Sequence, residues 1–157
     1  MQHSTINNIS DRVHPNRVVC SPSNTNGLQL EFVPGKNGGV TATFSCGKDL
    51  EGYPGVVHGG IVSSILDGAM GHCMFSRGQA AVTVEMTTWF RHPIITKQKA
   101  TVSANITSFS HSLCLLEAEI VQNGKVKATA KAKFFNQRRK FALNGVSSTL
   151  CQMNNRH

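Results

Sequence analysis

The 157-residue chain reads as an α+β domain, one helix laid against one face of a large antiparallel sheet of about six strands. Three observations predict this. Only one stretch, 60–75, carries a convincing helical repeat of apolar residues. The chain just before it, and most of the chain after Ala80, alternates with period two. Asn123-Gly124, set between two alternating runs, is a two-residue hairpin signal. A lone helix must bury its stripe on something, and a sheet face is what this element order offers.

Taken in order, residues 1–26 are polar, Asn/Ser-rich and broken by Pro15 and Pro22, so they read as an irregular lead-in. LQLEFV (28–33) and GVTATFS (39–45) alternate around Pro34-Gly35 and Gly38-Gly39, which predicts a hairpin. The loop GYPGVVHGG (52–60) opens the helix, and Arg77-Gly78 closes it. AVTVEMTTWFRH (81–92) sets Val82, Val84 and Met86 against Thr83, Glu85 and Thr87, so Thr83 and Glu85 are expected on one face. Pro93 leads to a β-rich stretch (97–109), then LCLLEAEIVQ (113–122) and KVKATAKAKFFNQ (125–137). The last sets Lys125, Lys127, Lys131 and Lys133 on one basic edge or face, with a register slip expected at Thr129. The domain is thus expected over 27–137, and 138–157 reads as a polar tail.

Composition narrows the class. No apolar run approaches the ~20 residues that a spanning helix needs, and the first residues lack the apolar core of a secretory signal. Five cysteines (20, 46, 73, 114 and 151) fall without CxxC or Cys/His spacing, so neither metal nor disulfides are expected, and a reduced, cytoplasmic setting fits. The net charge of +8 suits any phosphate-bearing partner. With few aromatics beside the basic residues and no nucleic-acid motif, nucleic acid is not expected.

The chemistry concentrates in VVHGGIVSSILDGAM (56–70). Ile61, Val62, Ile65, Leu66, Ala69, Met70, Cys73 and Met74 form a wide apolar stripe. Ser64, Gly68 and Gly71 form a second stripe of small residues that admits a close neighbour: a helix, a strand or a slender ligand. Gly59 and Gly60 sit at the helix start, where N–H groups lack intrahelical partners and the dipole favours negative charge. That is the geometry of an oxyanion site for acyl transfer, although a plain glycine turn gives the same letters. Asp67 is a carboxylate in an otherwise apolar or small-residue helix, and a carboxylate held partly from water suits a general base or nucleophile. Asp67 lies nine residues beyond His58, about 13 Å along the axis and half a turn round. One chain's helix start and its own Asp67 are therefore poorly placed to act on one carbonyl. A site shared across a two-fold interface answers this.

PGVVHGGIVSSILDGAMG (54–71), followed by VTVEMTTWFRHP (82–93), resembles the hotdog thioesterases, in particular the phenylacetate-pathway-like and THEM-like branch. CSPSNTNGLQLEF (20–32) resembles the lead-in of related proteins. The resemblance implies a hotdog fold, a long central helix wrapped by a curved antiparallel sheet, assembled as dimers or tetramers and hydrolysing acyl-CoA thioesters without a cofactor. It implies that the Gly59 N–H polarises the thioester carbonyl, that His58 shapes the loop, and that Asp67 activates water or attacks directly. Thr83 falls where a hydroxyl helps hold the water, and Gly60, Ser64, Gly68 and Arg91 are the expected substrate contacts. Where some relatives carry an Asn six residues before the His, this chain has Gly52. Glu85 stands as the alternative carboxylate. The competing functions are an acyl-CoA sensor without catalysis, which needs no Asp67, and a hydratase or dehydratase, which needs a His–carboxylate pair on one acyl chain.

Overall fold

The computed structural model describes residues 15–136. It contains strands β1 (Val33–Pro34) and β2 (Val40–Ser45), helix α1 (Gly59–Phe75), and strands β3 (Ala81–Phe90), β4 (Lys99–Ser110), β5 (Leu113–Gln122) and β6 (Lys125–Asn136). The strands form one antiparallel sheet in the order β1-β2-β4-β5-β6-β3, so the strand that follows the helix crosses to the far edge. Among the described residues no strand pairs with the outer edge of β3.

Packing follows the residue sizes. The helix buries Val62, Ile65, Leu66, Ala69, Met70, Cys73 and Met74, with Ile61 half-buried. The sheet answers with small residues: Ala42, Ala100, Ala104, Ala118, Ala128, Ala130 and Ala132 are all buried on its inner face. Large side chains on the helix and alanines beneath them let the two layers interlock closely. Leu116, Ile120 and Phe134 fill the remaining gaps. Asn123 and Gly124 both take positive φ (53° and 72°), as the tight β5–β6 turn requires.

Three expectations are corrected. The strand expected at 28–33 shrinks to Val33–Pro34. Gln29 takes a left-handed φ of 51°, and Leu28 and Leu30 donate their N–H groups to the Val18 and Val19 carbonyls instead of to β2. The lead-in therefore satisfies that segment, and Val19 joins the core. The slip expected at Thr129 occurs earlier: Ile120 pairs with Ala128 and Val121 with Val126, which leaves Lys127 as the extra residue. The third correction is a bulge in β3. Thr83 pairs with Phe134 and Glu85 with Lys133, so Val84 is the inserted residue. Thr83 consequently faces the helix with buried Phe134, whereas Glu85 faces outward. The shared face expected for the two is lost.

The tail expected at 138–157, and residues 1–14 of the lead-in, lie outside the described residues. Among the described residues no helix is long and apolar enough to cross a membrane.

Candidate active site

His58 caps the helix that it precedes. Its backbone is extended (φ −60°, ψ 134°), and its Nδ1 accepts the Gly60 N–H at 2.9 Å. A nitrogen that accepts carries no proton, so the neutral ring holds its hydrogen on Nε2. This bond has a consequence for the loop: the Gly60 N–H is taken. Gly60, an expected substrate contact, thus has its amide occupied, and the amide of the turn without an acceptor among the described residues is that of Gly59. The ring of Phe90 lies against Gly59; a Cβ at Gly59 would stand 3.5 Å from it. Gly52 packs against His58 so closely that a Cβ there would lie 3.1 Å from the His58 Cα. A side chain at position 52, such as the Asn of some relatives, would need His58 to move.

Two turns along the helix, Asp67 is half-buried and accepts a 2.6 Å hydrogen bond from the Thr83 hydroxyl at Oδ1. The β3 bulge makes this bond possible, because it turns Thr83 inward. Glu85, the alternative carboxylate, lies on the opposite face and forms a 2.6 Å ion pair with Lys133. The strand thus separates the two acids. Asp67 shares a face with the helix start; Glu85 does not.

The other expected contacts divide. Ser64 donates its hydroxyl back to the Gly60 carbonyl at 2.8 Å. Gly68 does not front an open slot: a Cβ there would lie 2.6 Å from the Val19 side chain, so the lead-in fills that part of the small-residue stripe. Arg91 is exposed at the end of β3 and borders a 430 Å³ depression on the outer sheet face with Trp89, Ser103 and Thr129. It stands away from the Asp67 side. The expected continuous basic face is also interrupted, since Lys131 pairs with Glu117 at 2.9 Å and Lys133 with Glu85. Unpaired basic character gathers at the other end of the strands, where the Arg91 and His92 N–H groups both bond the Lys127 carbonyl. There desolvation, followed by the charges of Lys125, Lys127 and Arg91, holds His92 below the usual imidazole range.

A model of the thioesterase superfamily matches residues 54–136. The chain belongs to the thioesterase superfamily. Acyl-coenzyme A thioesterase THEM4 of Bos taurus is 35% identical over 71 residues, a match that takes in 43% of this chain and 29% of the bovine protein. Among solved structures, the Escherichia coli PaaI protein of the phenylacetic acid degradation operon superposes with a TM-score of 0.65 at 24% identity, covering 69% of this chain and 80% of that one. A Streptococcus pneumoniae hypothetical thioesterase solved with coenzyme A gives 0.64 at 20%, covering 68% and 87%. The fold of the superfamily member described here is the hotdog fold.

Two residues of this superfamily member escaped the sequence reading. Phe90 lies against Gly59, seven positions beyond Thr83 on the strand that also holds Asp67. Alternation from Met86 through Thr88 sets Phe90 on the inner face, and the bulge brings Thr83 onto that same face. Gln122, one residue before the Asn-Gly turn, is buried at 1% exposure. A polar residue closing an apolar alternation was the available signal. Among the described residues no cluster of three or more His, Cys, Asp or Glu forms a metal site. The buried thiols of Cys46, Cys73 and Cys114 are each pushed up by desolvation, with the Arg77 charge and the Ile106 backbone opposing the rise at Cys73.

Proposed function

We propose that the protein hydrolyses acyl-CoA thioesters to the free acid and CoA, at sites shared between two copies of the chain. The observation that carries this is the layout along β3. Asp67 is bonded to Thr83 near one end of the strand, and Gly59 touches Phe90 at the other. Within one chain the two groups are about 12 Å apart along the helix. β3 is also an edge strand, and Val84 and Phe90 are 56% and 58% exposed on it. Antiparallel pairing of two such edges about a two-fold axis near Met86–Thr87 sets Thr83 of one copy opposite Phe90 of the other. Asp67 of one copy then comes beside Gly59 of its partner.

In this reading the thioester carbonyl oxygen receives the Gly59 N–H at the positive end of the helix dipole. Asp67 of the second copy takes a proton from water as the water oxygen bonds to the carbonyl carbon. Collapse of the tetrahedral intermediate breaks the C–S bond, and the departing thiolate leaves as CoA with the proton that Asp67 had taken, which restores the carboxylate. Thr83 orients Asp67 by holding Oδ1, which leaves Oδ2 for the water. The basic cluster of Arg91, Lys125 and Lys127 lies just beyond Phe90, where the phosphates of CoA would be met.

The test uses two inactive variants. Gly59→Pro removes the one N–H at the first helical position, where proline fits; Asp67→Asn removes the base. Each alone is expected to lose 10²-fold or more in kcat. Co-refolded in equal amounts, they should recover about a quarter of wild-type activity, because half the dimers carry one intact site of two. No recovery on mixing would place both groups in one chain's site and overturn the shared arrangement.

A further inference from the structure

Gln122 stands out among the polar side chains that the mechanism does not use. It ends β5 at 1% exposure, where an unsatisfied amide is costly. Its Oε1 accepts the Ile95 N–H at 2.8 Å, and its Nε2 donates to the Ile95 carbonyl at 2.8 Å. The side chain therefore pairs with a backbone as a strand neighbour would, but at Ile95, outside any regular strand. The other Nε2 hydrogen points to the Cys46 Sγ at 3.9 Å.

What hangs from Ile95 is the active-site turn. Ile95 forms an antiparallel bridge with Val56. On either side of it, the Val57 N–H donates to the Ile94 carbonyl at 2.9 Å and the Thr96 N–H to the Gly55 carbonyl at 3.0 Å. The Thr96 hydroxyl holds Glu51 at 3.0 Å, Glu51 bridges Val57, and the His58 N–H bonds the Leu50 carbonyl at 2.8 Å. The contacts of Ile94, Ile95 and Thr96 with Val57, Val56 and Gly55 fix the three residues that run into His58, and the Leu50 carbonyl holds His58 itself. The 94–96 segment that supplies them has no ladder of its own. Its ends are anchored by the His92 N–H to the Lys127 carbonyl and the Lys97 N–H to the Cys46 carbonyl, and between them the tie to the sheet is the pair of bonds from Gln122.

We propose that Gln122 is a positioning residue for the His58–Gly59 turn: through Ile95 and Val56 it sets where the Gly59 N–H points. The inference rests on the thioesterase reading for its catalytic consequence, but the mechanical link stands apart from it. No other side chain of similar size fills the role. Leucine keeps the bulk and loses both bonds. Glutamate keeps the acceptor and, when ionised, turns a second oxygen toward the Ile95 carbonyl.

The experiment compares wild type, Gln122→Leu, Gln122→Glu and Asn123→Ala by amide hydrogen exchange and by acyl-CoA turnover at pH 8. Asn123→Ala serves as a control at the same hairpin, where φ is positive, without contact to Ile95. In both Gln122 variants the amides of Val57, His58 and Thr96 should exchange at least tenfold faster than in wild type, and those of β4 and β6 should not. The control should show no such local change. Turnover should fall at least tenfold in kcat with KM within about threefold, since the substitutions leave the basic cluster proposed to meet CoA untouched. Unchanged exchange at 55–60 overturns the proposal. So does faster exchange with wild-type kcat, or an equal loss of kcat in the Asn123→Ala control, because either reduces Gln122 to a stabilising role. A wild type inactive on every ester refutes the thioesterase reading instead, and the exchange result still decides whether Gln122 holds the turn.

Discussion

Three side-chain decisions define the site at the residue scale. His58 takes up the Gly60 N–H, so the turn presents the Gly59 amide rather than a pair of equivalent donors. Thr83 holds one oxygen of Asp67 at 2.6 Å, and Glu85 is held outside by Lys133. A single hydrogen bond to a charged group contributes about 1.5–3 kcal/mol, or roughly a tenfold to hundredfold effect if it is needed at the transition state. Thr83→Val should therefore lower kcat by about tenfold or more with little change in melting temperature, whereas Glu85→Gln should leave kcat within about twofold. Steady-state kinetics on the two variants checks this. The reverse ranking would make Glu85 the working acid. The sequence favours Asp67, where motif and helix context agree, and keeps Glu85 as the alternative. Alternation already sets Glu85 opposite Val82, Val84 and Met86; what it conceals is the inserted Val84, which turns Thr83 toward Asp67.

At the scale of elements, helix, hairpin turn and five of the six strands are legible in the letters. The helix shows its stripe from Ile61 to Met74 and its glycine-rich start; the β5–β6 turn shows Asn-Gly. The first strand is not legible, and the reason is tertiary. LQLEFV has strand composition, but its backbone bonds are claimed by Val18 and Val19 of a lead-in whose polar, proline-broken sequence gives no sign of packing. The same lead-in explains Gly68. A methyl group there would overlap Val19, and overpacking of this kind costs about 1–3 kcal/mol against the ~1 kcal/mol that alanine gains over glycine in a helix. Gly68→Ala should thus destabilise the protein by up to about 2 kcal/mol in urea unfolding, and adding Val19→Ala should remove most of that overlap. A more stable Gly68→Ala would mean that Val19 yields freely and that the small-residue stripe is open after all.

At the scale of the whole molecule, the sheet has two outer edges among the described residues, the two-residue β1 and the ten-residue β3, and it is the long β3 edge that borders both halves of the proposed chemistry. Exposed edge strands invite pairing, and a lysine on such an edge opposes it. Val84→Lys should shift the protein toward monomer in sedimentation velocity and lose activity in the same proportion, with the monomer still folded by circular dichroism. Full activity in a monomeric variant would show that each chain holds a complete site. Charge acts on the same scale. On the outer face Lys131 and Lys133 are matched by Glu117 and Glu85, so the excess behind the net +8 is felt instead at Arg91, Lys125 and Lys127 near Phe90, where a phosphate-rich substrate would approach.

The most direct measurement is thiol release from a panel of short, long and aromatic acyl-CoAs, with wild type beside Asp67→Asn and Asp67→Ala. Turnover by wild type on at least one ester, with both variants folded and at least about 10²-fold slower, is the result predicted here. Wild-type turnover that neither substitution touches would contradict Asp67 as the working carboxylate, and no turnover on any ester would contradict the hydrolysis itself.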